Sequence, residues 1–175
     1  MSSGPSAVVV DHDERWAQDF EAIRARLWPA VAAVAVGIEH VGSTAVPGLA
    51  AKPIIDVDVV VPDAEGVPRA VAALERLGYE HRGDHGMPGR EALSGGEGLP
   101  EHHLYVVVLG SRPYRDHVDL HDHLRRHPDA ARRYAAEERR LAHLLESDRN
   151  AYVDGKAWVV RELLGDSRKF SQPNG

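Results

Sequence analysis

The order of patterned segments predicts a single α/β domain: one amphipathic helix, strands with a helix among them, then a helical C-terminal part. Three observations carry this. Trp16, Phe20, Ile23 and Leu27 recur at spacings of four, three and four, the period of a helix with one buried face. Ile54 to Val61 is a β-branched run of the kind that fills a buried strand. Beyond Leu109, helical patterns are separated only by His127-Pro128 and Asp148. With 175 residues the chain has the size of one domain, so two independent cores are not expected.

Taken in order, Asp11 or Asp13 caps the first helix, which reaches Trp28-Pro29, where proline either ends it or begins a second short one. Val34 to Val41 reads as a strand entering the tight stretch Gly42-Ser43-Thr44, and Val46-Pro47-Gly48 is a second turn signal. Pro62 closes the next strand, and Val67 to Leu77 forms a helix ended by Gly78. Tyr79 to Arg82 is a strand. Gly83 to Pro100 is dense in glycine and proline and reads as a loop with a short strand around Glu91 to Leu93. His103 to Leu109 is a strong strand, and Tyr114–Leu124, Asp129–Leu145 and Asn150–Leu164 are helices. The expected domain spans residues 9–165, with flexible ends over 1–8 and 166–175. The apolar positions of the last three helices serve either this domain or a partner.

Composition excludes several classes of function. No apolar run approaches the roughly 18 to 20 residues of a membrane span, and Met1 to Ala7 lacks the basic-then-apolar pattern of a secretory signal, so the expected location is cytoplasmic. Without cysteine there is no disulfide, no thiol nucleophile and no cysteine-ligated metal. A net charge of -6 argues against generic attraction to nucleic acid. The arginine doublets between Arg112 and Arg140 are interleaved with Asp116, Asp119, Asp122, Asp129, Glu137 and Glu138, which reads as a solvated, salt-bridged helix face.

The chemistry is concentrated in Ile38 to Thr44 and Ile55 to Val59. Strand residues two apart share a face, so Asp56 and Asp58 project together while Ile55, Val57 and Val59 face the other way. Two adjacent carboxylates inside an apolar strand repel and require a cation, and a divalent one such as magnesium takes one or two carboxylates plus substrate phosphates. Upstream, Gly42 and Ser43 form a turn where the backbone can approach a ligand closely and amides can hold phosphate oxygens. Gly-Ser, twelve residues and then Asp-x-Asp is the arrangement of a phosphoryl-transfer site. His40, beside the turn, either donates to a phosphate, shuttles a proton, or makes a structural hydrogen bond to the loop.

The run from Glu39 to Asp56, which includes Lys52-Pro53, closely resembles the signature of the GrpB family, a branch of the nucleotidyltransferase (DNA polymerase β-like) superfamily. His102-His103-Leu104, the Asp122 and His127-Pro128 region, and Tyr152 followed by Lys156 extend the resemblance over roughly Val9 to Leu164. It implies a small mixed sheet flanked by helices. It also implies that Asp56 and Asp58 hold Mg2+ or Mn2+ and act in catalysis, that Gly42, Ser43 and Lys52 serve the nucleotide phosphates, and that Lys156 meets the triphosphate tail. Superfamily members that are active place a third carboxylate on a later strand. Here that place falls to His103, which suits a softer ion, and Tyr105 stands where the family carries another histidine.

Arg90, in the glycine-rich segment, either binds an anionic substrate or is a solvated loop cation. His117/His121 and His123/His127 each lie one helical turn apart and read as exposed residues able to take up metal adventitiously. The expected function is transfer of a nucleotidyl group from a nucleoside triphosphate to a small-molecule or protein acceptor. The alternatives are a non-catalytic nucleotide- or metabolite-binding module, and an enzyme that tailors or ligates a metabolite at the expense of a triphosphate.

Overall fold

The computed structural model describes residues 8–170. Helix α1 spans Arg15–Val31 and buries Trp16, Phe20, Ile23, Leu27 and Val31, the stripe expected from its spacing. The Asp13 carboxylate accepts the Arg15 amide at 2.9 Å, which satisfies one of the free N–H groups at the helix start. Pro29 lies inside the helix because only two residues follow it, so a single main-chain bond is forfeited.

Five strands follow: β1 (Gly37–Val41), β2 (Ile55–Val61), β3 (Glu80–Gly83), β4 (Arg90–Ser94) and β5 (His102–Val108). They form one mixed sheet in the order β1-β2-β5-β4-β3, in which only the β2–β5 pair is parallel. Helix α2 (Gly66–Glu75) lies in the crossover between β2 and β5. The glycine-rich segment therefore contributes a full strand, and Arg90 opens that strand instead of sitting in a loop.

Parity along β2 divides the sheet into two faces. Ile55, Val57, Val59 and Val61 are buried against α1 and α2 with Leu74, Leu93, Leu104 and Val106. Asp56, Asp58 and Val60 point to the opposite face. That face is met by the C-terminal helix α3 (Arg112–Arg126), and the chain continues through α4 (Pro128–Ala142), the single-turn α5 (Leu144–Ser147) and α6 (Arg149–Phe170). Helices α3, α4 and α6 pack around the loop that joins β1 to β2: Val46, Leu49 and Ala50 meet Leu124, Tyr134, Ala135, Val159 and Leu163 in a second apolar cluster. The domain thus carries a second apolar cluster beside the main one, joined to it through the packing of α3 on the sheet. The turn segment between β1 and β2 is too apolar to be left in water, and the helices cover it.

Helix α6 continues through Phe170, past the expected boundary at 165. The rest of the expected flexible ends, residues 1–7 and 171–175, lies outside the described residues. No helix among the described residues is long and apolar enough to cross a membrane.

Ile23 is fully buried in the main cluster. Ile23→Ala is expected to lower the unfolding free energy by about 2–5 kcal/mol, through lost burial and the cavity left behind, whereas Arg24→Ala, at an exposed ion pair with Glu21, changes it by less than about 1 kcal/mol. Urea denaturation of the two variants checks this contrast.

Candidate active site at the open face of the sheet

The site begins with the carboxylates of β2. Asp58 has 0% exposure, and its Oδ2 accepts Nδ1–H of His117 from α3 at 2.6 Å. Its Oδ1 is buried with no hydrogen-bond partner. Asp56 is partly open, and its Oδ1 accepts Nδ1–H of His103 at 3.0 Å. The parallel register of β2 and β5 sets Asp56 beside His103 and Asp58 beside Tyr105.

Burial pushes the Asp58 carboxyl above its ordinary range, outweighing the His117 hydrogen bond. For His117, burial works against the charge, yet Asp58 and Asp56 raise its affinity for a proton above the usual value. The pair thus retains protons more strongly than its members would alone. Asp56 takes the other direction: burial acts upward, but the His103 hydrogen bond and the nearby charges of His103, Lys156 and His117 hold it below the ordinary range.

The Gly42 turn abuts this pair. Gly42 has φ 75°, and a Cβ there would lie 2.3 Å from Asp56 Oδ2, so the close approach and the backbone conformation both require glycine. Ser43 begins a short 3-10 turn, Ser43–Ala45, and is buried. Its hydroxyl is turned inward: Oγ donates to Tyr134 Oη at 3.2 Å, and Tyr134 donates to Glu138 Oε1 at 3.2 Å. Lys156 Nζ closes the network at 2.9 Å from Glu138 Oε1. Although burial opposes its charge, Tyr134, Glu138, Tyr152 and Asp56 together raise the Lys156 ammonium well above its usual range, so it stays cationic beside the carboxylates.

Several expectations are revised by these placements. The antiparallel register sets His40 opposite Val57, on the face covered by α1, where its ring stacks on Phe20 at 4.9 Å and its Nε2 lies 2.8 Å from Thr44 Oγ1. It braces the turn from behind. Lys52 Nζ rests over the Tyr152 ring, 4.4 Å from its centroid. His117 and His121 do not share an exposed face, since His117 serves Asp58 and His121 Nε2 donates to the Ala45 carbonyl at 3.2 Å. Glu138 is buried at 3% exposure and leaves the solvated face to Arg132–Asp129 and Arg140–Glu137. Among the described residues no group of three or more His, Asp or Glu stands together as a ready metal site, so Asp56, Asp58 and His103 do not converge on one point.

Glu39 and Glu138 are functional candidates that sequence reasoning passed over. Glu39 pairs with Asp58 across β1 and β2, and residues directly opposite share a face. Burial first, and then the Asp58 charge, raise its carboxyl above the ordinary range. Strand parity could have found it, because Glu39 and Val41 alternate with Ile38 and His40. For Glu138 no local signal distinguishes it from Glu137.

A profile described as GrpB protein matches residues 6–166. A UPF0157 protein of Pseudomonas aeruginosa is 40% identical over 163 residues, covering 90% of this chain and 66% of that protein. The UPF0157 protein YqkA of Bacillus subtilis is 32% identical, with 94% of this chain and 48% of that protein matched. This chain therefore spans about two-thirds and about half of those two relatives. A crystal structure of the conserved protein GrpB from Enterococcus faecalis superimposes with a TM-score of 0.76 at 29% identity, covering 91% of this chain and 99% of the other.

Two tests follow from the geometry. Gly42→Ala is expected to cost roughly 1–3 kcal/mol in stability, from the forced positive φ and the displaced Asp56, measured as a fall in denaturation midpoint. His40 is pushed down to about 4 by burial, against the pull of Asp56. Its folded value lies below its ordinary 6.5, so the unfolded chain binds more protons between the two; this contribution is complete above pH 6.5 and is lost as pH falls toward 4. Imidazole NMR should find His40 neutral at pH 5, and His40→Gln should lose the corresponding acid-side slope of stability.

Proposed function

This chain belongs to the GrpB family, and from the geometry of its carboxylate pair we propose that it is a metal-dependent nucleotidyltransferase that moves a nucleotidyl group from a nucleoside triphosphate to an acceptor. The observation that carries the proposal is the pairing of Asp56 and Asp58 on one face of β2, against a glycine turn and within reach of a half-buried lysine. Both the GrpB signature and the superfamily it resembles support the reading.

The donor set fits a divalent cation. Asp58 Oδ1 is a buried carboxylate oxygen with no partner, and Asp56 Oδ2 faces the Gly42 backbone and carries none of the hydrogen bonds found at Oδ1. Asp56 and Asp58 would hold the ion, and when bound it neutralises triphosphate charge and orients the phosphates for in-line attack. His103 Nδ1 is occupied on Asp56, so in this reading it steadies the carboxylate instead of acting as a third ligand.

The chain's own residues supply the rest. With the Ser43 hydroxyl committed to Tyr134, the phosphate donors of the turn are its main-chain amides, which the glycine at 42 allows a ligand to approach. Lys156, held by Glu138 beside Asp56, meets the triphosphate tail. His117 fixes the orientation of Asp58.

A second reading, binding of a nucleotide or metabolite without transfer, is favoured by one observation: both carboxylates already carry an imidazole N–H, so part of their charge is offset without metal. Calorimetry separates the two. Titration of ATP, GTP, CTP and UTP with Mg2+ or Mn2+ is expected to give metal-dependent binding of at least one triphosphate, lost in Asp56→Asn/Asp58→Asn, and accompanied by pyrophosphate release once an acceptor is present. Lys156→Gln should weaken that binding roughly ten- to a hundredfold, the worth of one charge-assisted hydrogen bond. Metal-independent binding would select the second reading, and no binding of any triphosphate would sink the transferase and leave only binding of a metabolite other than a nucleotide.

A further inference from the structure

Arg90 lies on the same face of the sheet as the acidic pair. It opens β4, and the register carries Asp58 to Tyr105 and Tyr105 to Ala92, two positions along from Arg90, so all four share the open face of the sheet. Its guanidinium lies over the Tyr105 ring, 4.7 Å from the centroid. Nε is buried with no hydrogen-bond partner, and the group carries no ion pair among the described residues. A planar guanidinium fixed on an aromatic ring, with no carboxylate in ion-pair contact among the described residues, is preorganised to take a carboxylate or phosphate through two parallel N–H bonds.

The second unpartnered group on this face is Asp58 Oδ1, a buried acceptor. One ligand satisfies both if it bears an anionic group at one end and a hydroxyl at the other. The two cations of the site are also divided between the carboxylates, with Lys156 acting on Asp56 and Arg90 on Asp58.

Resting on the transferase reading, we propose that Arg90 on its Tyr105 platform is the anion subsite for the acceptor, which is a small hydroxy-carboxylate or hydroxy-phosphate placed with its hydroxyl at Asp58. In the transfer, the acceptor oxygen forms a bond to the α-phosphorus of the nucleoside triphosphate while the bond from that phosphorus to the β-bridging oxygen breaks. Pyrophosphate leaves with the electron pair, and the hydroxyl proton passes to water.

The test needs no turnover. The full 15N-labelled chain is titrated, without nucleotide, with glycerol 3-phosphate, glycerate and glycerol, following Arg90 Nε–H and the amides of β4 and β5. The expected result is that both anions, or one of them, shift these resonances while glycerol does not; the stronger anion identifies phosphate or carboxylate as the preferred group. Arg90→Gln should weaken the binding at least tenfold, Arg90→Lys should restore it only in part, and Tyr105→Leu should weaken it by removing the platform; retained spectral dispersion confirms that each variant is folded. Shifts that map elsewhere, or that persist in Arg90→Gln, overturn the subsite. So does a loss of triphosphate affinity in Arg90→Gln, which would put Arg90 on the nucleotide. Failure of every triphosphate to bind the wild type would instead remove the transferase reading and leave the anion titration to decide the subsite alone.

Discussion

Two carboxylates side by side on one strand, one of them wholly buried, is the condition around which the rest of the molecule is arranged. Isolated in an apolar sheet, they would repel and take up protons. Each is answered by an imidazole from a different part of the chain, His103 from the neighbouring strand and His117 from α3. The answers are unequal. Asp56 keeps contact with solvent and is held anionic, whereas Asp58, with no exposure, is driven toward its neutral form unless a further cation arrives. The asymmetry gives chemically identical side chains opposite tendencies, one held toward the charged form and the other toward the neutral one.

A second dependency ties the turn to the helices. Ser43, Tyr134, Glu138 and Lys156 form a chain of buried polar contacts that crosses from the β1–β2 connection into α4 and α6. A buried carboxylate is tolerated there because a lysine, a tyrosine and a serine converge on the same oxygen, Ser43 at the longer distance of 3.5 Å. The apolar cluster around Val46 and Leu49 surrounds the same junction, so helix docking and turn geometry are set by one set of contacts.

Much of this was legible from local pattern. The α1 stripe, the β2 run and the placing of Asp56 and Asp58 on one face follow from periodicity alone, and the glycine at 42 follows from the need for close backbone approach. The residues that escaped are those whose role depends on long-range pairing. His117 and Glu138 sit on helices dense in charge, and nothing within a few positions distinguishes them from exposed neighbours; only docking of α3 and α4 does. Arg90 was already a candidate for an anionic ligand, but the glycines around it read as loop and concealed its place on a strand, although the flanking Glu91 to Leu93 had the look of one. For His40 the sequence left a ligand contact and a structural bond to the loop open, and strand parity, which sends its ring to the other face, selects the bond to Thr44.

The bond between Asp58 and His117 spans 59 residues and that between Ser43 and Glu138 spans 95. During synthesis at the ribosome, β1 and β2 therefore emerge with their acidic pair uncompensated, and the β1–β2 turn stays without its covering helices until α4 and α6 have been released. Until then the apolar residues at Val46 and Leu49 are open to water and to other chains. The nascent protein thus passes through an interval in which the segment that carries the candidate site is open to solvent, and chaperone capture or aggregation in that interval would depend on how quickly the last helices follow.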